Sequence, residues 1–123
     1  MSVEYENILY EVSERVATIT LNRPERMNAL TPDMQREIHA ALDCADSDPE
    51  VRSIILTGAG AAFCAGFNQG RKVEGGVRPS DPHGKSHAEF LKYWYDTDSS
   101  RVTQWTHMWS LGKPIIAAVN GWA

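Results

Sequence analysis

The residues from Arg52 to Gln69, RSIILTGAGAAFCAGFNQ, carry the spacing in this chain that could do chemistry. The apolar run Ser53-Ile54-Ile55-Leu56-Thr57 is short and rich in β-branched residues, so it reads as a buried strand. Gly58 and Gly60 break it, and a passage from Ala61 to Gly66 follows, small except for Phe63. Phe67-Asn68-Gln69 read as the entry to a helical segment. A strand that ends in a glycine-rich turn sets backbone N–H groups at the carboxyl edge of a sheet, where α/β folds place ligands. Such groups can hydrogen-bond an anion or a developing oxyanion. A dinucleotide fingerprint would need a third glycine where Phe63 stands, and a Walker A loop would need Gly-Lys-Ser/Thr, which is absent. On spacing alone, two readings stay open: an oxyanion-binding bend, or an ordinary strand-to-helix connection whose glycines serve backbone geometry only.

Other side chains offer less. His39 falls on or beside the polar flank of a helix pattern and reads as a surface or boundary residue. His83, His87 and His107 have no acid–base partner at a recognisable spacing, and His107 shares its segment with Trp105 and Met108, as a packed histidine would. Cys44 and Cys64 lack CxxC spacing and read as reduced thiols in or near the core of a cytoplasmic protein, not as a metal site or a disulfide. The carboxylates Asp43, Asp46, Asp48 and Glu50 read as a solvated connection, because the strand at Ser53 starts at once.

Three segments in one order resemble the crotonase (enoyl-CoA hydratase/isomerase) superfamily. They are Ile19 to Leu30 (ITLNRPERMNAL), Ile54 to Gly66 and Lys113 to Gly121 (KPIIAAVNG). The resemblance runs from Ile8 onward. It implies an α/β fold, the first part of a crotonase-like ββα spiral, and an acyl-CoA-processing enzyme of the hydratase/isomerase type. Coenzyme A would come as part of the substrate, without metal or redox cofactor. The resemblance assigns one oxyanion-hole donor to the backbone N–H of Phe67. It has the Ala65 carbonyl accept from the adenine amino group and Gly66 allow close approach, with Asn68, Gln69 and Gly70 following along the thioester. Arg26, Met27 and Ala29 would border the adenosine or pantetheine; without the resemblance, Arg26 is simply a solvated loop cation.

Two departures bear on the reaction. Many members carry aspartate where this chain has Asn68. The Ala65-Gly66-Phe67 form resembles the branch that holds 4-chlorobenzoyl-CoA dehalogenase beside hydratases and isomerases. By resemblance, the second oxyanion donor belongs in a glycine-rich turn after Trp122-Ala123, and the catalytic carboxylates farther on. Members are longer than this chain, so residues 1–123 read as an N-terminal portion of one such domain. The alternative function is therefore a non-catalytic fragment that binds acyl-CoA or a partner. The complete protein is expected to be a homo-oligomer, a trimer or hexamer.

The elements that must position these residues follow from pattern. Ile8 to Glu14 and Val16 to Asn22 alternate as strands, joined by a polar link that suits an antiparallel hairpin. Glu25 to Leu30 reads as a loop. Thr31-Pro32-Asp33 is a helix start, and Met34, Ile38, Ala41, Leu42 and Ala45 give one apolar stripe that stops near Ser47. Residues 70–85 are glycine- and proline-rich and read as a long mobile loop, in which Arg71, Lys72 and Arg78 are either solvated or attract an anionic ligand. Ser86 to Leu111 reads as helical, with Ser86 and Glu89 as a capping box and a kink or new start at Asp96 to Ser100. Its Trp and Tyr residues read as core, or as the wall of a bulky acyl pocket. Ile115 to Val119 is fully apolar and reads as a strand buried on both faces.

The 123 residues are 42% apolar and 23% charged, with a net charge of −4, which suits one small globular domain and gives no basic footprint for nucleic acid. No apolar run approaches the roughly 20 residues of a membrane helix, and Met1-Ser2-Val3-Glu4 does not open a signal peptide.

Overall fold

The computed structural model describes residues 4–67 and 87–123. The expected mobile loop at 70–85 and the Ser86 cap lie outside them. The described residues fall into two units, residues 4–67 with 110–123, and residues 87–109.

The first unit is a four-stranded mixed sheet in the order β1-β2-β3-β4. β1 (Ile8–Ser13) and β2 (Val16–Leu21) pair antiparallel, as their alternation and polar link require. The link is tight because Glu14 and Arg15 both adopt positive φ, 50° and 68°, which matches the twist of a two-residue hairpin. β3 (Ser53–Gly58) lies parallel to β2, and β4 (Ile115–Ala118) parallel to β3.

Parallel pairing of β2 and β3 needs a crossover, and α1 (Pro32–Ser47) supplies it. The Thr31 hydroxyl accepts from the N–H of Met34 at 3.2 Å, and Pro32 occupies the first turn, where its missing N–H costs nothing. The stripe Met34, Ile38, Ala41, Leu42 and Ala45 is buried, and Gln35 joins it. Across from it, Ala17, Ile19, Leu21, Ile54 and Leu56 are buried on the sheet. Register puts these strand residues on one face, since Ala17 pairs with Ile54 and Ile19 with Leu56.

α1 ends at Ser47, where the acidic run makes continuation unfavourable. Its last turn carries no basic residue of its own. The cation comes from far along the chain: Lys113 Nζ donates to the carbonyls of Ala45 and Asp48. Asp46 in turn accepts from the N–H groups of Gly112 and Lys113 at 3.0 and 3.1 Å.

β4 differs from expectation. Among the described residues it is an edge strand, and Ile116 and, just past its end, Val119 are 54% and 57% exposed rather than buried on both faces. Its apolar sequence suits burial on both faces, but only β3 lies beside it among the described residues. β3 itself buries Ile54 and Leu56 and leaves the alternate residues half-buried.

The second unit is formed by α2, which spans His87–Ser110 as one helix with only its last residue outside that unit, so Asp96 to Ser100 neither break nor restart it. Lys92 and Asp96 form an ion pair at i,i+4 spacing. Tyr95 and Trp109 are exposed and Trp105 half-buried, which departs from the reading of these aromatics as core. Among the described residues, no helix is long and apolar enough to cross a membrane.

Candidate active site

Two strand ends define the site, that of β2 before Asn22 and that of β3 at Gly58. After β2 the chain makes a short 3-10 turn, Pro24–Arg26, where a loop was expected. Met27 and Asn28 then take left-handed conformations, φ 51° and 56°. Two consecutive left-handed residues without glycine are unusual, because Cβ crowds the following carbonyl. They persist because the loop is tied internally: Arg26, Met27, Asn28 and Ala29 donate in turn to the carbonyls of Arg23, Pro24, Arg23 and Arg26. The Arg23 guanidinium also donates to the carbonyl of Ala29 at 2.9 Å.

After β3 the glycine turn folds tightly on itself. A Cβ at Gly58 would lie 2.5 Å from the Phe63 carbonyl oxygen, so only glycine fits there. Gly60 (φ 80°) and Gly66 (φ 97°) adopt the conformation that disfavours a side chain. The segment Lys113 to Gly121 closes over the same turn. Asn120 accepts from the N–H of Gly58 and donates to the carbonyl of Gly60, both at 3.1 Å. The Trp122 carbonyl accepts from Phe63 and Cys64 at 2.8 and 3.2 Å.

The structure brings the two expected ligand-bordering segments side by side, although they are far apart in sequence. The N–H of Ala65 donates to the Met27 carbonyl at 3.0 Å, and the N–H of Leu30 donates to the Gly66 carbonyl at 2.8 Å. Leu30 and Phe67 form a parallel β-bridge. Arg26, Met27 and Ala65 are exposed along this seam, while Ala29, Gly66 and Phe67 are half-buried. Phe67 is thus part of a bridge and not the first residue of a helix. Asn68, Gln69 and Gly70 lie outside the described residues, as does His83.

Asn28, within the segment Ile19 to Leu30, is a functional residue that sequence alone does not single out. It is fully buried. Its Oδ1 accepts from the N–H of Arg23 at 2.8 Å, and its Nδ2 donates to the carbonyls of Ala59 and Ala62 at 3.0 and 2.9 Å. A polar residue flanked by a proline turn and an apolar run was the only local hint.

The remaining reactive groups stand apart from the seam or are quiet. Cys44 and Cys64 are half-buried free thiols, and Cys64 Sγ accepts a long hydrogen bond from the N–H of Gly66 at 3.4 Å. His39 and His107 are half-buried. Tyr10, on the α1 side of the sheet, has its hydroxyl pushed up to about 12 by burial and then by the negative charges that Cys44 and Asp48 can carry.

Comparison with known proteins shows the family. The family model for enoyl-CoA hydratase/isomerase matches residues 11–123. A probable enoyl-CoA hydratase of Mycobacterium tuberculosis is 37% identical over 96% of this chain. The 1,2-epoxyphenylacetyl-CoA isomerase of Escherichia coli is 36% identical over 94% of it. Among solved structures, an enoyl-CoA hydratase/isomerase from Xanthobacter autotrophicus superimposes with a TM-score of 0.72 at 40% identity, covering 96% of this chain and 40% of that one. The chain spans about 41% and 40% of the length of the two curated relatives. A mixed sheet with its crossover helix, a glycine turn closed by Asn120, and a match over nearly the whole chain lead to one conclusion: this chain belongs to the enoyl-CoA hydratase/isomerase family.

Proposed function

We propose that this chain forms one wall of an acyl-CoA site, in which the backbone N–H of Phe67 polarises the thioester carbonyl and holds the enolate-like oxyanion. The observation that carries this reading is the seam: Met27 to Ala65 and Leu30 to Gly66 are hydrogen-bonded across, so the loop of Arg26, Met27 and Ala29 borders the Ala65-Gly66-Phe67 bend. Leu30 donates to Gly66, the residue before its bridge partner. In a parallel pair this directs the N–H of Phe67 away from Leu30. Phe67 already has an interaction within the fold, so a thioester oxygen would add to it or exchange with it.

Electron withdrawal by such a donor raises the acidity of the carbon next to the thioester and stabilises charge on its oxygen. One donor of this kind contributes about 2.7–4 kcal/mol to the transition state. The chemistry needs no metal or redox group, and coenzyme A arrives with the substrate. Arg26, exposed on the seam, would meet the phosphates, and Ala65 and Gly66 the adenine and pantetheine. Asn68, Gln69 and Gly70 continue the same reading along the thioester. The turn 58–67 contains no carboxylate, so the general acid and base come from elsewhere, and residues 1–123 alone bind a thioester without turning it over. A homo-oligomeric, cytoplasmic whole protein belongs to the same proposal.

The test joins residues 1–123 to the remaining C-terminal part of the Mycobacterium tuberculosis relative. The chimera is assayed on a panel of enoyl- and aroyl-CoA thioesters, and the 123-residue chain is titrated with coenzyme A thioesters by calorimetry. Turnover by the chimera and binding by the chain are expected. A chimera that folds yet is silent across the panel, with a chain that binds no thioester, would falsify the reading.

A further inference from the structure

We infer that Asn28 is a positioning residue: through three hydrogen bonds made by one buried amide, it sets where the Phe67 N–H points. The inference rests on the acyl-CoA reading above and names a residue that never touches the ligand.

The argument begins with satisfaction. Asn28 is fully buried, and its side chain finds a partner for its acceptor and for each of its two N–H donors. A buried amide held on all sides is rigid, because loss of any bond leaves a polar atom unpaired away from water. Its partners belong to two different segments. Oδ1 holds the N–H of Arg23, at the start of the Arg26 loop, and Nδ2 holds the carbonyls of Ala59 and Ala62, inside the glycine turn. The side chain therefore fixes the distance between the loop and the turn.

Position along the chain gives the link to Phe67. Residue 27 accepts from Ala65 and residue 30 donates to Gly66, so Asn28 lies between the two backbone ties that carry the bend. Its own φ of 56° is tolerated by asparagine, and its side chain is buried while that of Met27, at nearly the same φ, is exposed. Asn120 grips the same turn from the other side, at Gly58 and Gly60, but it is exposed. Water can replace the bonds of Asn120, whereas the Asn28 side chain is fully buried and its bond to the Ala62 carbonyl lies away from solvent. Without the Nδ2 donor, the Ala59 and Ala62 carbonyls would have to find other partners, and the peptide rotations this requires propagate toward residue 67.

The experiment reads the Phe67 amide directly. The 123-residue chain is labelled with 15N-phenylalanine; there are three phenylalanines, and Phe63→Tyr and Phe90→Tyr assign the resonances. It is titrated with acetyl-CoA and with S-ethyl-CoA, a thioether that lacks the carbonyl oxygen. In the unmodified chain the Phe67 N–H shifts downfield with acetyl-CoA and not with S-ethyl-CoA. In Asn28→Ala, and in Asn28→Asp, which keeps the size, the acceptor and the left-handed preference, the carbonyl-dependent shift is lost while the S-ethyl-CoA Kd stays within about threefold. Either folded variant keeping the full shift overturns the positioning role and leaves the acyl-CoA reading standing. Loss of S-ethyl-CoA binding in both variants also overturns it, since Asn28 would then be general support. An unmodified chain with no carbonyl-dependent shift overturns both.

Discussion

Gly121 passes so close to Ala61 that a Cβ on it would lie 2.0 Å from the Ala61 carbonyl oxygen. This contact seats the chain end on the glycine turn and lets Trp122 accept from Phe63 and Cys64. Gly121→Ala cannot fit without moving backbone, at a cost of about 1–3 kcal/mol. The segment should then lift off the turn. Amide exchange at Phe63 and Cys64 is expected to quicken by about tenfold or more, with the α1 amides nearly unchanged. Unaltered protection at those two positions would show that the close approach does not hold the end.

Lys113 completes the C-terminus of α1 from a distance. Its ammonium donates to the carbonyls of Ala45 and Asp48, which also accept from the N–H groups of Asp48 and Val51, at the negative end of the helix dipole. Lys113→Met keeps the stem and removes the charge. Chemical denaturation should show a loss of about 1–2 kcal/mol. Because both partners are backbone carbonyls, a loss below a few tenths of a kcal/mol would mean that water caps the helix equally well.

Met27 holds a left-handed conformation at a surface position beside the Ala65 bend. Strain of this kind gathers at sites where geometry matters more than stability. Met27→Gly should raise stability by about 1 kcal/mol, because glycine adopts the same φ without crowding. Affinity for a coenzyme A thioester, read by calorimetry, should fall as the thioether contact is lost. A variant that is less stable would refute the strain, and one with undiminished affinity would refute the contact.

The Tyr10 hydroxyl is buried, and its pKa is pushed up to about 12 from the ordinary 10.0 by that burial and by neighbouring Cys44. The folded state keeps the proton at pH values where the unfolded chain has lost it. Stability from this group is therefore whole below about pH 10 and declines as pH rises toward about 12. Urea midpoints measured between those values should fall more steeply for the unmodified chain than for Tyr10→Phe. Parallel slopes would mean that Tyr10 ionises alike in both states.

Much of this protein is legible in local sequence. The Thr31-Pro32 start, the apolar stripe of α1, the β1–β2 hairpin and the strand at Ser53 follow from periodicity and capping, which act over a turn or two of chain. The segments Ile19 to Leu30, Ile54 to Gly66 and Lys113 to Gly121 were enough to suggest the family that the comparison then established. The tertiary structure alone decided what joins them. Asn28 to Ala62, Asn120 to Gly58 and Lys113 to Ala45 are bonds between residues 34, 62 and 68 positions apart. No spacing announces such a bond, because a polar side chain acquires its partner only when closure of the sheet brings the backbone to it. The same holds for Ile115 to Val119: apolar composition states that a strand can be buried, but its exposure depends on which neighbours stand beside it.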